Sequence, residues 1–229
     1  MKKKVVVLTG AGISQESGLR TFRDMGGLWE EYDVMEVAST QGWEANPELV
    51  MKFYNDRRQQ LYESQPNAGH IGLAELEEDF DVRIITQNID DLHEQAGSSK
   101  VLHLHGELKK ARSTRYPELI YDLDGWELKF GDLCEKGYQL RPHVVWFGEP
   151  VPAMDEAMQL TNEADIFVVV GTSLNVYPAA NLVNFKRSEI PLFVVDPERP
   201  EFYLKNAVFI DEKASVGVSI LKEKLSKLI

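Results

Sequence analysis

Cysteine is almost absent. Cys134 is the single thiol in 229 residues, so no internal disulfide framework can exist, and the usage fits a reducing compartment. Long apolar runs are missing too: no stretch approaches the ~18 residues of a membrane span. The opening "MKKKVVVLTG" starts basic, but its apolar run, Val5 to Leu8, is short and meets glycine at once. It reads as a buried strand and not as an export signal, so a cytoplasmic chain with no membrane partner is expected. Positive charge is also scarce. Lys and Arg total 25 against 37 Asp and Glu, a formal net charge of -12. Proteins that grip nucleic acid without regard to sequence need the opposite balance, so no direct nucleic-acid partner is expected. There is no internal repeat and no low-complexity segment.

What is present describes a water-facing globule. Hydrophobic residues make up 43% of the chain, enough for a real core in one domain or in a domain with a smaller insertion. β-Branched runs recur at Val5–Leu8, Val82–Ile85, Val101–Leu104, Val144–Trp146, Ile166–Val170 and Leu192–Val195. Several are apolar without alternation, as in strands covered on both faces of a mainly parallel sheet. Helical patterns lie between them: "NPELVMKFYNDRRQQLYES", "NAGHIGLAELEEDF" with Asn67 as its N-cap, "AMDEAMQLTNEA" and "ASVGVSILKEKLSKLI". The alternation predicts an α/β fold with a doubly wound, mainly parallel, Rossmann-like sheet. We expect a core over about 1–23, 66–106 and 142–229, and a helical excursion over about 24–65. Residues 107–141, which lack a clear period, are expected to form a small inserted module.

Chemistry concentrates where strands end. The first strand runs into "TGAGIS", where Gly10 and Gly12 would let the backbone approach a ligand and a helix start offers N–H groups to an anion. The dinucleotide fingerprint asks for a third glycine where Gln15 stands, and a purely structural turn would also explain the string. A second such turn, "VVVGTSLNVYPAA", brings Gly171, Thr172 and Ser173 to the end of another strand. Two turns of this kind suit a dinucleotide lying across the carboxyl edge of the sheet. Asp196 in "VVDPERP" ends a further strand and serves either a ribose or adenine group or a plain turn. "TQNIDDLHEQAG" packs Gln87, Asn88, Asp90, Asp91 and His93 behind one apolar run, more polar chemistry than a helix cap needs.

Five strings, "TGAGISQESGLRTFRDMGGLWE", "TQNIDDLHEQAG", "LHGEL", "RPHVVWFGE" and "GTSLNVYPAA", stand in the order they take in sirtuins, the NAD-dependent protein-lysine deacylases. The chain resembles that family from residue 9 to about 180. The resemblance implies NAD as cofactor and an acylated-lysine protein or peptide as substrate. In that chemistry the acyl oxygen attacks the ribose carbon bearing nicotinamide, and the products are nicotinamide, free lysine and O-acyl-ADP-ribose. His105 of "LHGEL" would be the general base, a role suited to a group with a pKa near neutrality. Gln87 would orient that base, Asn88 would hold the ribose and a water, Asp90 would accept from the nicotinamide carboxamide, and Ile89 would wall the pocket. Gly10, Ala11, Gly12 and Ile13 match the phosphate turn, and Phe22 and Arg23 match a lid and a ribose-phosphate arginine. Val145, Trp146, Phe147, Gly148 and Glu149, with Val176, resemble the loops that hold the substrate peptide as an added strand. His103 is expected to be structural, and Asp91 and His93 to supply helix charge and packing.

The chain also departs from the family. Ser113 stands about where the first of four zinc cysteines would be, and a structural zinc site needs four ligands, so no metal is expected. Packing through Tyr116, Tyr121, Trp126 and Phe130 would hold the module instead. Tyr54 and Arg57, three residues apart on one helical face, match the Y-x-x-R motif of sirtuins that prefer malonyl, succinyl or glutaryl lysine. A guanidinium and a phenol can together bind a carboxylate. On an isolated helix the same pair would simply pack and meet a surface acid. Ala38 resembles the small residue that leaves room for a longer acyl chain. The expected activity is therefore lysine deacylation, of succinyl or malonyl and also acetyl groups, by a monomer. NAD glycohydrolysis or mono-ADP-ribosyl transfer in the same pocket is the alternative. A hydride-transferring dehydrogenase would need a substrate-polarising site that these motifs do not supply, and an NAD-sensing module would have no use for His105.

Overall fold

The computed structural model describes residues 2–19, 32–200 and 203–228. In chain order its strands are β1 (Lys4–Thr9), β2 (Asp81–Thr86), β3 (Val101–His103), β4 (Gly106–Ser113), β5 (Ile120–Asp122), β6 (Leu140–Val144), β7 (Ile166–Val170), β8 (Leu192–Val195) and β9 (Ala207–Ile210). The helices are α1 (Gly12–Gln15), α2 (Val34–Val37), α3 (Thr40–Ala45), α4 (Pro47–Glu63), α5 (Ala68–Glu75), α6 (Leu92–Gln95), α7 (Met154–Asn162) and α8 (Ala214–Leu225). Six strands pair in parallel in the order β3-β2-β1-β7-β8-β9. The chain winds outward from β1 to β3, then returns to β1's other side and winds outward again. The carboxyl ends of β1 and β7 therefore flank the point where the strand order reverses, the usual crevice for a ligand.

The unbroken apolar runs have the cause expected of them. Val5 and Val7 of β1, with Ile166, Val168 and Val170 of β7, pack on Leu73 of α5 and Val218 and Leu221 of α8. Val6, Leu8, Phe167 and Val169 point the other way, onto Ala157 of α7 and the turn at Leu182 and Val183. Both faces are dry, so alternation disappears from the sequence. The α4 helix starts where Asn46 accepts from Leu49 N at 3.1 Å with Pro47 in its first turn, and α5 starts where Asn67 accepts from Gly69 N at 2.8 Å.

The aperiodic stretch differs more from expectation. The strands β5, β4 and β6 form a small antiparallel sheet. The strand expected over Val144–Trp146 instead ends at Val144, because the next amides are taken by loop partners. Trp146 N donates to the Glu149 side chain at 2.8 Å and Phe147 N to Ala38 O at 2.9 Å. The module's core is Ala111, Leu128, Cys134 and Leu140 against Met51, with Tyr121 only partly buried. Trp126 is largely exposed; Phe130, also exposed, stacks on Trp43, and Tyr116 meets Tyr138 edge-on.

Side chains of α4 carry much of the attachment. Arg58 is fully buried and donates from Nε to Leu108 O at 2.5 Å, and from Nη1 to Trp126 O at 2.6 Å and Asn55 Oδ1 at 2.8 Å. Asn55 in turn brackets Leu128, donating to its O and accepting from its N at 3.0 Å each. Burial pulls the Arg58 pKa down to about 10, which leaves it charged at neutral pH. Replacing Arg58 with Met strips buried carbonyls of a charged donor, and we expect a stability loss of about 3 kcal/mol. Urea denaturation measures it; a loss within error would remove Arg58 from this role.

Candidate active site at the carboxyl edge of the sheet

The turns after β1 and β7 meet backbone to backbone. Gly10 N donates to Val170 O at 3.1 Å and Gly12 N to Gly171 O at 2.9 Å. A Cβ on Gly12 would lie 2.9 Å from Gly171 Cα, and one on Gly171, whose φ is +62°, would lie 2.3 Å from Ile13 N. No side chain fits between these turns, so glycine is required on both sides.

Below the turns lies a buried polar cluster. Ser14 Oγ is 3.0 Å from Asp90 Oδ2, 3.1 Å from Asn88 Nδ2 and 3.4 Å from His70 Nε2. Asn88 Nδ2 also reaches Gly10 O at 3.2 Å. Thr9 Oγ1 lies 2.9 Å from Thr86 Oγ1 and 3.0 Å from His93 Nε2, and Thr86 Oγ1 accepts from Asn88 N at 3.0 Å. Burial raises the Asp90 carboxyl above its usual value, against the Leu92 amide and Ser14 hydroxyl that favour its charge. Those two donors leave acceptor capacity on the carboxylate for an incoming N–H.

His105 follows β3, its Nδ1 2.8 Å from Gln87 O. A carbonyl can only accept, so Nδ1 carries the proton and Nε2 is left as a bare base. Burial lowers this imidazole's pKa, with the Gln87 carbonyl opposing, which favours the neutral form. The orienting group is thus the main chain of Gln87; its side chain turns away to Thr172 Oγ1 at 3.1 Å. His103 is tied to Asn88 O at 3.2 Å and Glu94 Oε1 at 2.8 Å. Asp91 pairs with Lys109 at 2.7 Å.

A second, apolar cluster adjoins the first. Ala38, Tyr54 and Trp146 are buried together, with Phe53, Leu92 and part of Ile89. Trp146 Nε1 donates to Tyr54 OH at 3.1 Å. Burial pushes the Tyr54 phenol up to about 12, with Arg57 and Trp146 opposing, so it stays protonated. Arg57 is half-buried, and its charge bears on both Tyr54 and Asp90. In the 145–149 loop Val145 N donates to His105 O at 2.9 Å, Phe147 is exposed and Gly148 has φ +89°. Glu149 does not face outward as a peptide contact would. It is locked between Arg141, at 2.7 and 3.0 Å, and Arg112, at 3.0 and 3.1 Å, because a half-buried carboxylate needs charged partners.

Thr172 accepts from Leu174 N at 3.2 Å, Ser173 is exposed, and Val176 is half-buried. Asp196 Oδ1 accepts from Glu198 N at 2.9 Å, as a turn aspartate does. Ala11 and Ile13 flank Gly12, with Ile13 in the sheet core. Phe22 and Arg23 lie outside the described residues. A depression of about 410 Å³ between α4 and residues 126–130 is lined by none of the described site residues expected from sequence. Sequence reasoning missed Ser14, Thr9, Thr86 and His70; the one available signal was His70 standing three residues after its N-cap.

Residues 10–178 match the model of the Sir2 family. The chain is 50% identical over 229 residues to the NAD-dependent protein deacylase of Helicobacter pylori (strain ATCC 700392 / 26695), covering 99% of both proteins. It is also 50% identical to the protein of the same name from Bacteroides thetaiotaomicron, covering 97% of this chain and 98% of that one. Among solved structures, a Sir2 homologue in complex with NAD superposes with a TM-score of 0.88 at 38% identity, over 99% of this chain and 91% of that one.

The buried imidazoles give the fold a pH dependence. Burial lowers His70 to about 4 and, with His70 and His103 adding, holds His93 well below its usual value. Unfolded, both bind protons near pH 6.5. Their contribution to stability is therefore full above about pH 6.5 and falls as pH drops toward 4, by at most ~1.4 kcal/mol per pH unit for each ring. Urea midpoints between pH 7.5 and 4.5 should decline less steeply in His93→Gln than in the parent chain; equal slopes would contradict this.

Proposed function

The chain belongs to the Sir2 family and is an NAD-dependent protein deacylase, and we propose that it prefers lysine acyl groups ending in a carboxylate, succinyl and malonyl, while also removing acetyl. The observation carrying this reading is the Trp146-to-Tyr54 hydrogen bond. The indole N–H can only donate, so the phenol oxygen accepts and its own proton is left to donate onward. Arg57 stands on the same face of α4, within electrostatic reach of that phenol. A neutral donor beside a cation is the pair a terminal carboxylate asks for, and Ala38 beside Tyr54 leaves length for the chain.

NAD suits the polar edge of the sheet. Its pyrophosphate belongs at the turns holding Gly10, Gly12, Gly171 and Thr172, and its carboxamide at Asp90, whose unused acceptor capacity is otherwise costly to bury. When bound, NAD supplies the ribose carbon to which the acyl oxygen adds as nicotinamide leaves. His105 Nε2, bare because Nδ1–H is held by Gln87 O, takes the proton from a ribose hydroxyl. Asn88 is fixed through Gly10 O and Ser14 Oγ with its amide oxygen free to bind the sugar or a water. Residues 145–148 and the Val176 loop would accept the peptide as an added strand. We read the 107–141 module as zinc-free. Cys134 is the sole thiol and its Sγ is 3.4 Å from Ser113 Oγ, while Ser113 also accepts from Arg115 N and Tyr116 N at 3.2 Å.

A charge-assisted hydrogen bond contributes about 1.5–3 kcal/mol. Removing the guanidinium should therefore cost about ten- to a hundredfold in desuccinylation. We expect Arg57→Met to lose that much kcat/KM on a succinyl-lysine peptide while keeping its activity on the acetyl peptide, measured by mass spectrometry. Equal loss on both peptides would assign Arg57 to the fold or to NAD instead.

A further inference from the structure

The apolar cluster around Tyr54 is backed by charge that stability alone does not account for. Arg112 of β4 and Arg141 of β6 stand directly opposite each other in the small sheet, their side chains only 12% and 9% exposed. Like charges facing each other weaken a ladder, and a buried ion cluster is seldom better for stability than apolar packing. Glu149 serves both arginines, so the cluster keeps one net positive charge. Both also donate from Nη2 to Val144 O, Arg112 at 3.3 Å and Arg141 at 2.9 Å. Arg141 makes one contact more: its guanidinium carbon lies 3.3 Å from the centre of the Trp146 ring. Its Nε meets no hydrogen-bond acceptor among the described residues, and the indole face is the electron-rich surface beside it.

Trp146 is thus held at three places. Its main-chain N–H donates to Glu149 at 2.8 Å, Arg141 covers its ring, and Trp43 meets that ring with centroids 5.5 Å apart. The one polar atom left to place is Nε1–H, which donates to Tyr54 OH at 3.1 Å. We propose that Arg141 is a specificity-determining positioning residue: by stacking on Trp146 while holding Glu149, it fixes the indole so that its N–H occupies the Tyr54 oxygen and leaves the phenol proton to the acyl terminus. The inference deepens the reading of Tyr54 and Arg57 as partners of an acyl carboxylate, and rests on it. The hydrogen bonds of Arg141 go to Glu149 and Val144, so it acts on the phenol through the indole. A hydroxyl rotor takes whatever direction its neighbours allow. Without the stacked cation the indole has more than one orientation, and the phenol donor is divided among them.

The test is kcat and KM on matched succinyl- and acetyl-lysine peptides at saturating NAD, followed by mass spectrometry. We expect Arg141→Met to lower the succinyl-to-acetyl ratio of kcat/KM about tenfold, the weight of a desolvated cation–π contact. The loss should fall on the succinyl KM, with the acetyl reaction within about twofold of the parent, because a contact to the acyl end is made equally before and during reaction. Arg141→Lys keeps a charge for Glu149 without the planar fork. It should lower the ratio about threefold, and it carries the test if the Met variant does not fold. Arg112→Met removes an equal charge from the same carboxylate without a stack on Trp146, and should keep the parent's ratio. In a Tyr54→Phe background, Arg141→Met should change the ratio no further. A parent-like ratio in Arg141→Met, equal losses on both peptides, an equal drop in Arg112→Met, or additivity with Tyr54→Phe would each overturn the proposal. A parent without a preference for succinyl would instead overturn the reading of Tyr54 and Arg57, and the inference with it.

Discussion

The contact between Gly12 and Gly171 governs the rest of the molecule. The two turns follow parallel neighbours, β1 and β7, at the point where the sheet reverses its strand order. A Cβ on either glycine would overlap the backbone of the opposite turn. Because the turns close on each other, α1 begins directly beneath them, and Ser14 is delivered to the same buried spot as Asn88 and Asp90. Parallel pairing of β1 with β2 brings Thr9 beside Thr86, so the loop after β2 rises against the first turn. The candidate site is thus a product of sheet register and backbone proximity, and the side chains inherit their positions.

The polar groups beneath the turns are costly to bury, and the cluster offsets part of that cost with internal pairs, Ser14 with Asn88 and Asp90, and Thr9 with Thr86 and His93. Neutrality is the second device. His70, His93 and His105 are all driven toward the uncharged form by burial, which spares the pocket a cation and leaves His105 ready as a base. The charges that do remain are held in place by strong partners. Glu149 bridges Arg112 and Arg141, and the Arg141 guanidinium lies 3.3 Å over the Trp146 ring. Trp146 in turn supports Tyr54. A structural ion cluster therefore stands directly behind the pair assigned to the acyl group.

Much of this was legible in the sequence, for physical reasons. Unbroken β-branched runs and the Asn67 cap report local requirements, and the structure has β1, β2, β7, β8 and α5 where those signals place them. The Gly and polar strings report requirements of a pocket, and they assemble at one edge of the sheet. What escaped notice depends on partners distant in the chain. The strands β4 and β6 pair around a register shift between Gly106 and Ala111, which breaks the alternation a reader would seek. Arg58 sits on the buried face of α4 between Tyr54 and Leu61, yet the two carbonyls it donates to lie 50 and 68 residues away. Glu149 looked like part of a peptide-binding loop because its two arginines are invisible until the module folds. Gln87 is expected from sequence to orient His105, and only coordinates distinguish its carbonyl, which meets His105 Nδ1, from its side chain, which meets Thr172 Oγ1.

The account makes acyl choice a consequence of one oriented phenol and one adjacent guanidinium. The most direct measurement is a competition in which the unaltered protein, with NAD, meets equal amounts of succinyl- and acetyl-lysine forms of one peptide. Mass spectrometry then gives the ratio of the two kcat/KM values. The account predicts faster loss of succinyl, by about tenfold or more. Faster loss of acetyl would contradict it, leaving the deacylase intact and the Tyr54–Arg57 pair without its assigned ligand.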